Sequence, residues 1–118
     1  MIIGVPREIK DGERRVSITP AGVEDLTESG HQVLIQEGAG VGSGIPDHEF
    51  EEAGGKILTD LRTLFSESEL ILKVKEPLPA EYDLFREGQT LFTFLHLAAN
   101  PSLTEFLMMI IFRETSPP

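Results

Sequence analysis

A chain of 118 residues makes one domain, large enough to bury roughly two thirds of its unfolded surface without crosslinks. With no cysteine it can form neither disulfides nor thiolate metal sites, which suits a reducing compartment. Twenty acidic residues against ten basic ones leave a net charge of −10, which argues against nucleic acid or an anionic membrane as partner.

Met1–Val5 reads as a first strand, closed by Pro6. The opening MIIGVPREIK has only a short apolar run with no basic segment ahead of it, so it does not read as a signal peptide. A charged segment, Arg7–Arg15, follows, with Asp11-Gly12 as a turn; Arg14 and Arg15 stand just before the apolar Val16 and Ile18. Thr19-Pro20 is a helix start, threonine as N-cap and proline at the first helical position. Val23 and Leu26 form its inward stripe, Glu24, Asp25 and Glu28 face water, and Gly30 ends it. Gln32–Gln36 is a second strand, and strand, helix, strand at this spacing predicts a right-handed parallel unit.

Glu37–Gly44 (EGAGVGSG) resembles a dinucleotide loop but fails its pattern. Counted from Gly38, Ser43 stands where the third glycine belongs; counted from Gly40, Ile45 does. Pro46-Asp47 precede any helix and no P-loop lysine is present, so the stretch reads as a plain mobile loop. Asp47 is expected to cap a short helix through Ala53, ended by Gly54-Gly55. Lys56–Leu58 is a short third strand, and Asp60–Ser66 a helix with Leu61, Leu64 and Phe65 at helical spacing.

Leu70–Val74 has the length and apolar content of a buried strand, interrupted by Lys73 and Lys75, which in a strand share one face. A buried lysine is costly unless it is paired or its head escapes. Pro77 stops the strand, which puts Lys75 at its carboxyl end, the edge where open α/β sheets bind ligands. Two lysines snorkelling from a strand end explain the pattern equally well. A polar connector, Leu78–Gln89, includes a helical turn at Glu81–Phe85. Leu91–Leu97 is near-continuously apolar, as in a sheet covered on both faces. Asn100-Pro101 opens a helix whose apolar face is Leu103, Phe106, Leu107, Ile110 and Ile111. The longest apolar run, Phe106–Phe112, is far too short to span a membrane. Thr115–Pro118 is polar and expected to fray, and a soluble, cytoplasmic domain is the overall expectation.

His96, near the end of the last strand, reads either as an acid/base or as a satisfied core residue. His31 and His48 have loop contexts, and three scattered histidines without paired acids do not make a metal site. Arg15 could grip a carboxylate with two parallel hydrogen bonds, though an arginine in a charged loop is usually just solvated. Together, an arginine for a carboxylate, a lysine for a carbonyl oxygen and a histidine for proton transfer suit a 2-oxo or 2-amino acid.

The stretches VPREIKDGERRVSITPAGVEDL, GHQVLIQEGAGVGSGIPD, ILKVKEP and LFTFLHLAA resemble the amino-terminal substrate domain of NAD-dependent alanine dehydrogenases, through about Leu107. The transhydrogenase alpha subunit shares the opening and the glycine-rich stretch but lacks the KVKEP lysine pair and the FLHLA histidine. The resemblance implies a three-layer, Rossmann-like or flavodoxin-like α/β domain with a mainly parallel sheet. It implies that Arg15 binds the substrate carboxylate, that Lys75 binds the carbonyl or amino end and is catalytic, and that His96 is the acid/base. The family reaction turns L-alanine, NAD⁺ and water into pyruvate, ammonium and NADH in a homo-oligomer. Residues 1–112 are expected to form the substrate domain and 113–118 a frayed tail, because IIFRETSPP departs from the family pattern. No nucleotide-binding domain, and so no NAD-binding residue, is expected in this chain, and no metal-binding residue is expected either. On that expectation the chain is the substrate half of an oxidoreductase, inactive alone; a non-catalytic 2-oxo or amino-acid binding module and an interaction fragment are the alternatives.

Overall fold

A computed structural model describes residues 1–93. The apolar residues after Met1 form β1 (Ile2–Val5), and Pro6 follows immediately. Thr19 caps α1 (Pro20–Glu28) by accepting a hydrogen bond from the Gly22 N–H, with Pro20 at the first position. Gly30, at φ 90°, lets the chain leave that helix and enter β2 (Gln32–Gln36). Then come α2 (Asp47–Glu52), β3 (Lys56–Leu58), α3 (Leu61–Glu67), β4 (Leu70–Leu72) and β5 (Thr90–Phe92). Two 3₁₀ turns, Val41–Ser43 and Pro79–Leu84, lie after β2 and β4.

Every strand pairing is parallel, in the order β3-β2-β1-β4-β5. The fold is therefore the expected α/β domain with a parallel sheet. Alternate residues of β2 serve opposite layers. Val33 and Ile35 join Val5, Val23 of α1 and Phe50 of α2 on one face, while Leu34 joins Leu64 and Phe65 of α3, Ile71 and Phe85 on the other. On that second face the Phe65 and Phe85 rings meet edge-on, centroids 5.0 Å apart. At Gly4 the sheet is packed tightly by α3 and its cap: an added Cβ would sit 2.9 Å from the Leu64 Cδ2 and 2.2 Å from the Ser68 Oγ.

Several boundaries differ from expectation. β4 ends at Leu72, not Val74, because the N–H groups of Val74 and Lys75 are drawn to a side chain instead of a neighbouring strand. Asp47 does not cap α2; Pro46 occupies the cap position, and the Asp47 carboxylate accepts the Gly38 N–H at 2.9 Å. The glycine-rich stretch is a built loop, closed by a 3₁₀ turn and by bonds from the Ser43 and Ile45 N–H groups to the Gly40 carbonyl. The connector's helical turn is Pro79–Leu84, starting two residues earlier than Glu81. β5 ends at Phe92, and the rest of the expected Leu91–Leu97 strand beyond Thr93, with His96, the helix expected from Asn100 and the tail, falls outside the described residues. Among the described residues no helix is long and apolar enough to cross a membrane.

Candidate functional site at the carboxyl edge

The strand order reverses between β1 and β4. From β1 the chain crosses through α1 to β2 on one side, and from β4 it crosses through the 3₁₀ turn to β5 on the other. A crevice outside the carboxyl ends of the strands at such a reversal is where open α/β sheets hold ligands. Both flanks of this crevice carry charge: Arg7 and Glu8 follow β1, and Lys73 and Lys75 follow β4.

Glu8 spans the reversal. Its side chain, 2% exposed, takes the Lys73 ammonium on Oε1 at 3.2 Å and the Lys75 N–H on the same oxygen at 3.1 Å. Its Oε2 accepts the Val74 N–H at 2.9 Å. The Lys73 ammonium also lies 3.1 Å from Glu81 Oε2, with side-chain exposures of 1% and 3%. Glu81 closes its own turn by accepting the Leu78 N–H on its other oxygen at 3.0 Å. Lys73 is thus a buried cation between two buried carboxylates that are themselves hydrogen-bonded, the condition under which interior charge is tolerated. A second pair, Lys10 with the buried Glu76, ties the Arg7–Arg15 segment to the residues after β4.

The two lysines, expected to share a face, part company. Lys73 turns inward to Glu8 and Glu81; Lys75 is half-buried and its ammonium makes no ion pair with a described residue. The difference follows from the early end of β4, since strand alternation does not govern residues past Leu72.

Arg15 lines a cleft of about 270 Å³ with Arg7, Glu8, Glu13, Arg14 and residues of the glycine-rich loop, Gly38 and Gly42 among them. Its side chain is 67% exposed, yet it is held: Nε donates to Glu13 Oε2 at 3.0 Å and Nη2 to Glu13 Oε1 at 2.8 Å. The Arg15 N–H also donates to Glu13 Oε2, at 2.8 Å. These bonds pull the Glu13 carboxyl down to about 2 and raise the guanidinium above its usual value; the Lys75 charge adds to the pull on Glu13. Gly42 closes the cleft floor against this segment, since a Cβ there would lie 2.6 Å from the Arg14 carbonyl oxygen. The Ser43 hydroxyl donates to the same carbonyl at 3.2 Å.

Of the expected site residues, Arg15 and Lys75 both stand at the carboxyl edge, and His96 lies outside the described residues. Sequence reasoning missed Glu8, Glu13 and Glu81. The need for a buried lysine to find a carboxylate pointed to such partners without naming them. No group of acids and histidines among the described residues is arranged to hold a metal ion.

Comparison with known proteins gives concordant answers. Residues 4–110 match the family model described as alanine dehydrogenase/PNT, N-terminal domain. The alanine dehydrogenase of Methanococcus maripaludis is 56% identical over 108 residues, covering 92% of this chain and 29% of that protein. The Bacillus subtilis alanine dehydrogenase is 52% identical over 107 residues, covering 91% and 28%. Among solved structures, an L-alanine dehydrogenase superposes with a TM-score of 0.90 at 48% identity, over 93% of this chain and 30% of the other. A transhydrogenase from Sinorhizobium meliloti superposes at 0.83 with 29% identity, over 93% and 32%. The chain thus spans less than a third of the length of these relatives, and it belongs to the alanine dehydrogenase/PNT N-terminal domain family.

Proposed function

We propose that this chain is the substrate-holding part of an alanine dehydrogenase, acting on L-alanine and pyruvate. The observation that carries this reading is the Glu8 clamp, which fixes the Lys75 backbone beside a cleft lined by Arg15, at the sheet edge where such folds hold ligands. Arg15 would take the substrate carboxylate on its guanidinium, and Lys75 would hydrogen-bond the carbonyl oxygen of pyruvate or the amino end of alanine. Lys75 suits that role because its ammonium is not spent on a described carboxylate, whereas the Lys73 ammonium is. His96, which follows β5 in sequence and lies outside the described residues, would move the proton.

The described residues do not fit NAD. The glycine-rich loop opens onto a 3₁₀ turn instead of a helix, and Gly42, where a pyrophosphate would need open backbone, is packed on Arg14. In this reading the hydride acceptor is held outside the described residues, and the 118-residue chain alone is proposed to bind substrate without turning it over.

The test is a pyruvate titration of the labelled chain followed by amide shifts. Shifts centred on Arg15 and Lys75, reduced by Arg15→Lys and by Lys75→Met, are expected. If none develops near either residue at concentrations on the order of tens of millimolar, the substrate reading fails in favour of an interaction fragment.

A further inference from the structure

The Arg15 guanidinium raises a question that its proposed role leaves open. An arginine carries five N–H donors arranged along two usable forks, one at the Nε–Nη2 side and one at the Nη1–Nη2 end. Glu13 occupies the side fork completely, with bonds of 3.0 and 2.8 Å, while Nη1 makes no hydrogen bond to a described residue. Glu13 is also anchored to the backbone it serves. Its Oε2 takes the Arg15 N–H at 2.8 Å, and its own N–H donates to the Lys10 carbonyl at 3.0 Å, closing the turn. The Glu13 side chain is only 5% exposed although its partner is 67% exposed, so the fixed member of the pair is the carboxylate.

We infer that Glu13 is a positioning residue for Arg15, gripping one edge of the guanidinium so that the end fork stands ready in the cleft for a ligand carboxylate. The inference rests on the reading that Arg15 binds the substrate carboxylate. A solvent-exposed arginine left to itself samples many rotamers and must lose them on binding. Here that ordering is done before the ligand arrives, and a planar fork is the shape that gains most from it. The opposite arrangement would have Glu13 sitting in the ligand's own place, as an internal carboxylate that the substrate must displace. The choice of fork decides between them, because a ligand at the Nη1–Nη2 end does not need the bonds that Glu13 holds at the other edge.

Two measurements on the 118-residue chain test this. The first is 15N relaxation of the Arg15 Nε–H without ligand. It should be as ordered as the surrounding backbone in the wild type and mobile in Glu13→Ala; a side chain already mobile in the wild type overturns the inference whatever pyruvate does. The second is pyruvate affinity in wild type, Arg15→Lys, Glu13→Ala and Glu13→Gln. Glu13→Ala should bind roughly two- to tenfold more weakly, the cost of ordering one long side chain. Glu13→Gln, which keeps one acceptor, should fall between. Glu13 lies in a turn outside every helix and strand, and a dispersed amide spectrum verifies that each variant is folded. Weaker binding in Arg15→Lys with unchanged binding in Glu13→Ala overturns the inference alone, and tighter binding in Glu13→Ala shows the displaced-occupant arrangement. If pyruvate shifts nothing in the wild type, or Arg15→Lys binds as well as wild type, the Arg15 reading falls and the inference with it.

Discussion

Lys73 and Glu8, 65 residues apart in sequence, meet inside the domain at 3.2 Å and bridge the ends of β1 and β4, between which the strand order reverses. The pair is less a source of net stability than a device that costs dearly when half of it is removed. Glu8→Ala would strip one carboxylate from a buried ammonium and leave the Val74 and Lys75 N–H groups without their acceptor. A loss of about 3 kcal/mol in denaturant melts is expected, with Glu81 keeping the figure from going higher. Glu8→Gln, which preserves an acceptor, should lose about half as much. Equal, small losses in both variants would show that the clamp is not needed for folding.

Gly42 tests whether the glycine-rich loop is there for close approach. An added Cβ would sit 2.6 Å from the Arg14 carbonyl oxygen and 3.2 Å from the Arg14 Cα, both backbone atoms that cannot swing aside. Gly42→Ala should therefore cost about 1–3 kcal/mol, as overpacking does elsewhere. It should also shift the amides of Arg14, Arg15 and Val16 as the loop is pushed off. A variant as stable as wild type with those amides unmoved would refute the close-approach account.

Much of this architecture was legible because it is local. Thr19-Pro20, Gly30 and the apolar runs of β1 and β2 fix their own elements through caps, φ and alternation, and the structure places them as read. What could not be read was set across long separations. β4 is cut short by a carboxylate that arrives from the end of β1, and strand propensity carries no signal for that. Asp47 looked like a helix cap because local spacing favours one, yet its carboxylate finds a better-placed donor at Gly38. The glycines of 38–44 suggest a phosphate loop in sequence, whereas the packing of Gly42 against Arg14 and of Gly40 against Ile45 and Phe50 is visible only in three dimensions. Arg15 and Lys75 stand out in the sequence as candidates for chemistry, while Glu13 is one acid among twenty.

On the ligand side, pyruvate is expected to bind the 118-residue chain with a Kd of about 1 mM or weaker, which corresponds to roughly 4 kcal/mol. A cleft open to water weakens each charge-assisted contact. Arg15→Lys replaces a two-pronged grip by a point charge and should weaken binding. Lys75→Met should do so as well, and His96→Ala should matter less because proton transfer plays no part in ground-state binding. Purified chain given L-alanine and NAD⁺ should produce no NADH absorbance. Reproducible NADH formation that is lost in Lys75→Ala would contradict the substrate-holding proposal as stated.

The Glu13–Arg15 pair also predicts behaviour in acid. The two hydrogen bonds from the guanidinium, then the one from the Arg15 N–H, hold the Glu13 carboxyl near 2, against an ordinary value of 4.5. A group whose pKa is lower folded than unfolded adds stability as pH rises between the two values, because over that range the unfolded chain binds the proton that the folded chain has released. Its contribution is complete above about 4.5, declines as pH falls and is gone once pH passes below about 2. Wild type and Glu13→Gln should therefore differ in stability at neutral pH, and the difference should shrink between those limits. Salt should reduce it throughout, since the arginine is largely in water. Carboxyl 13C shifts of Glu13, followed from neutral pH downward while the amide spectrum stays dispersed, check the cause directly. The Glu13 signal should stay at its ionised position through pH 4, where free glutamates are already half protonated. A midpoint at the ordinary value would mean that the carboxylate does not hold Arg15 in solution.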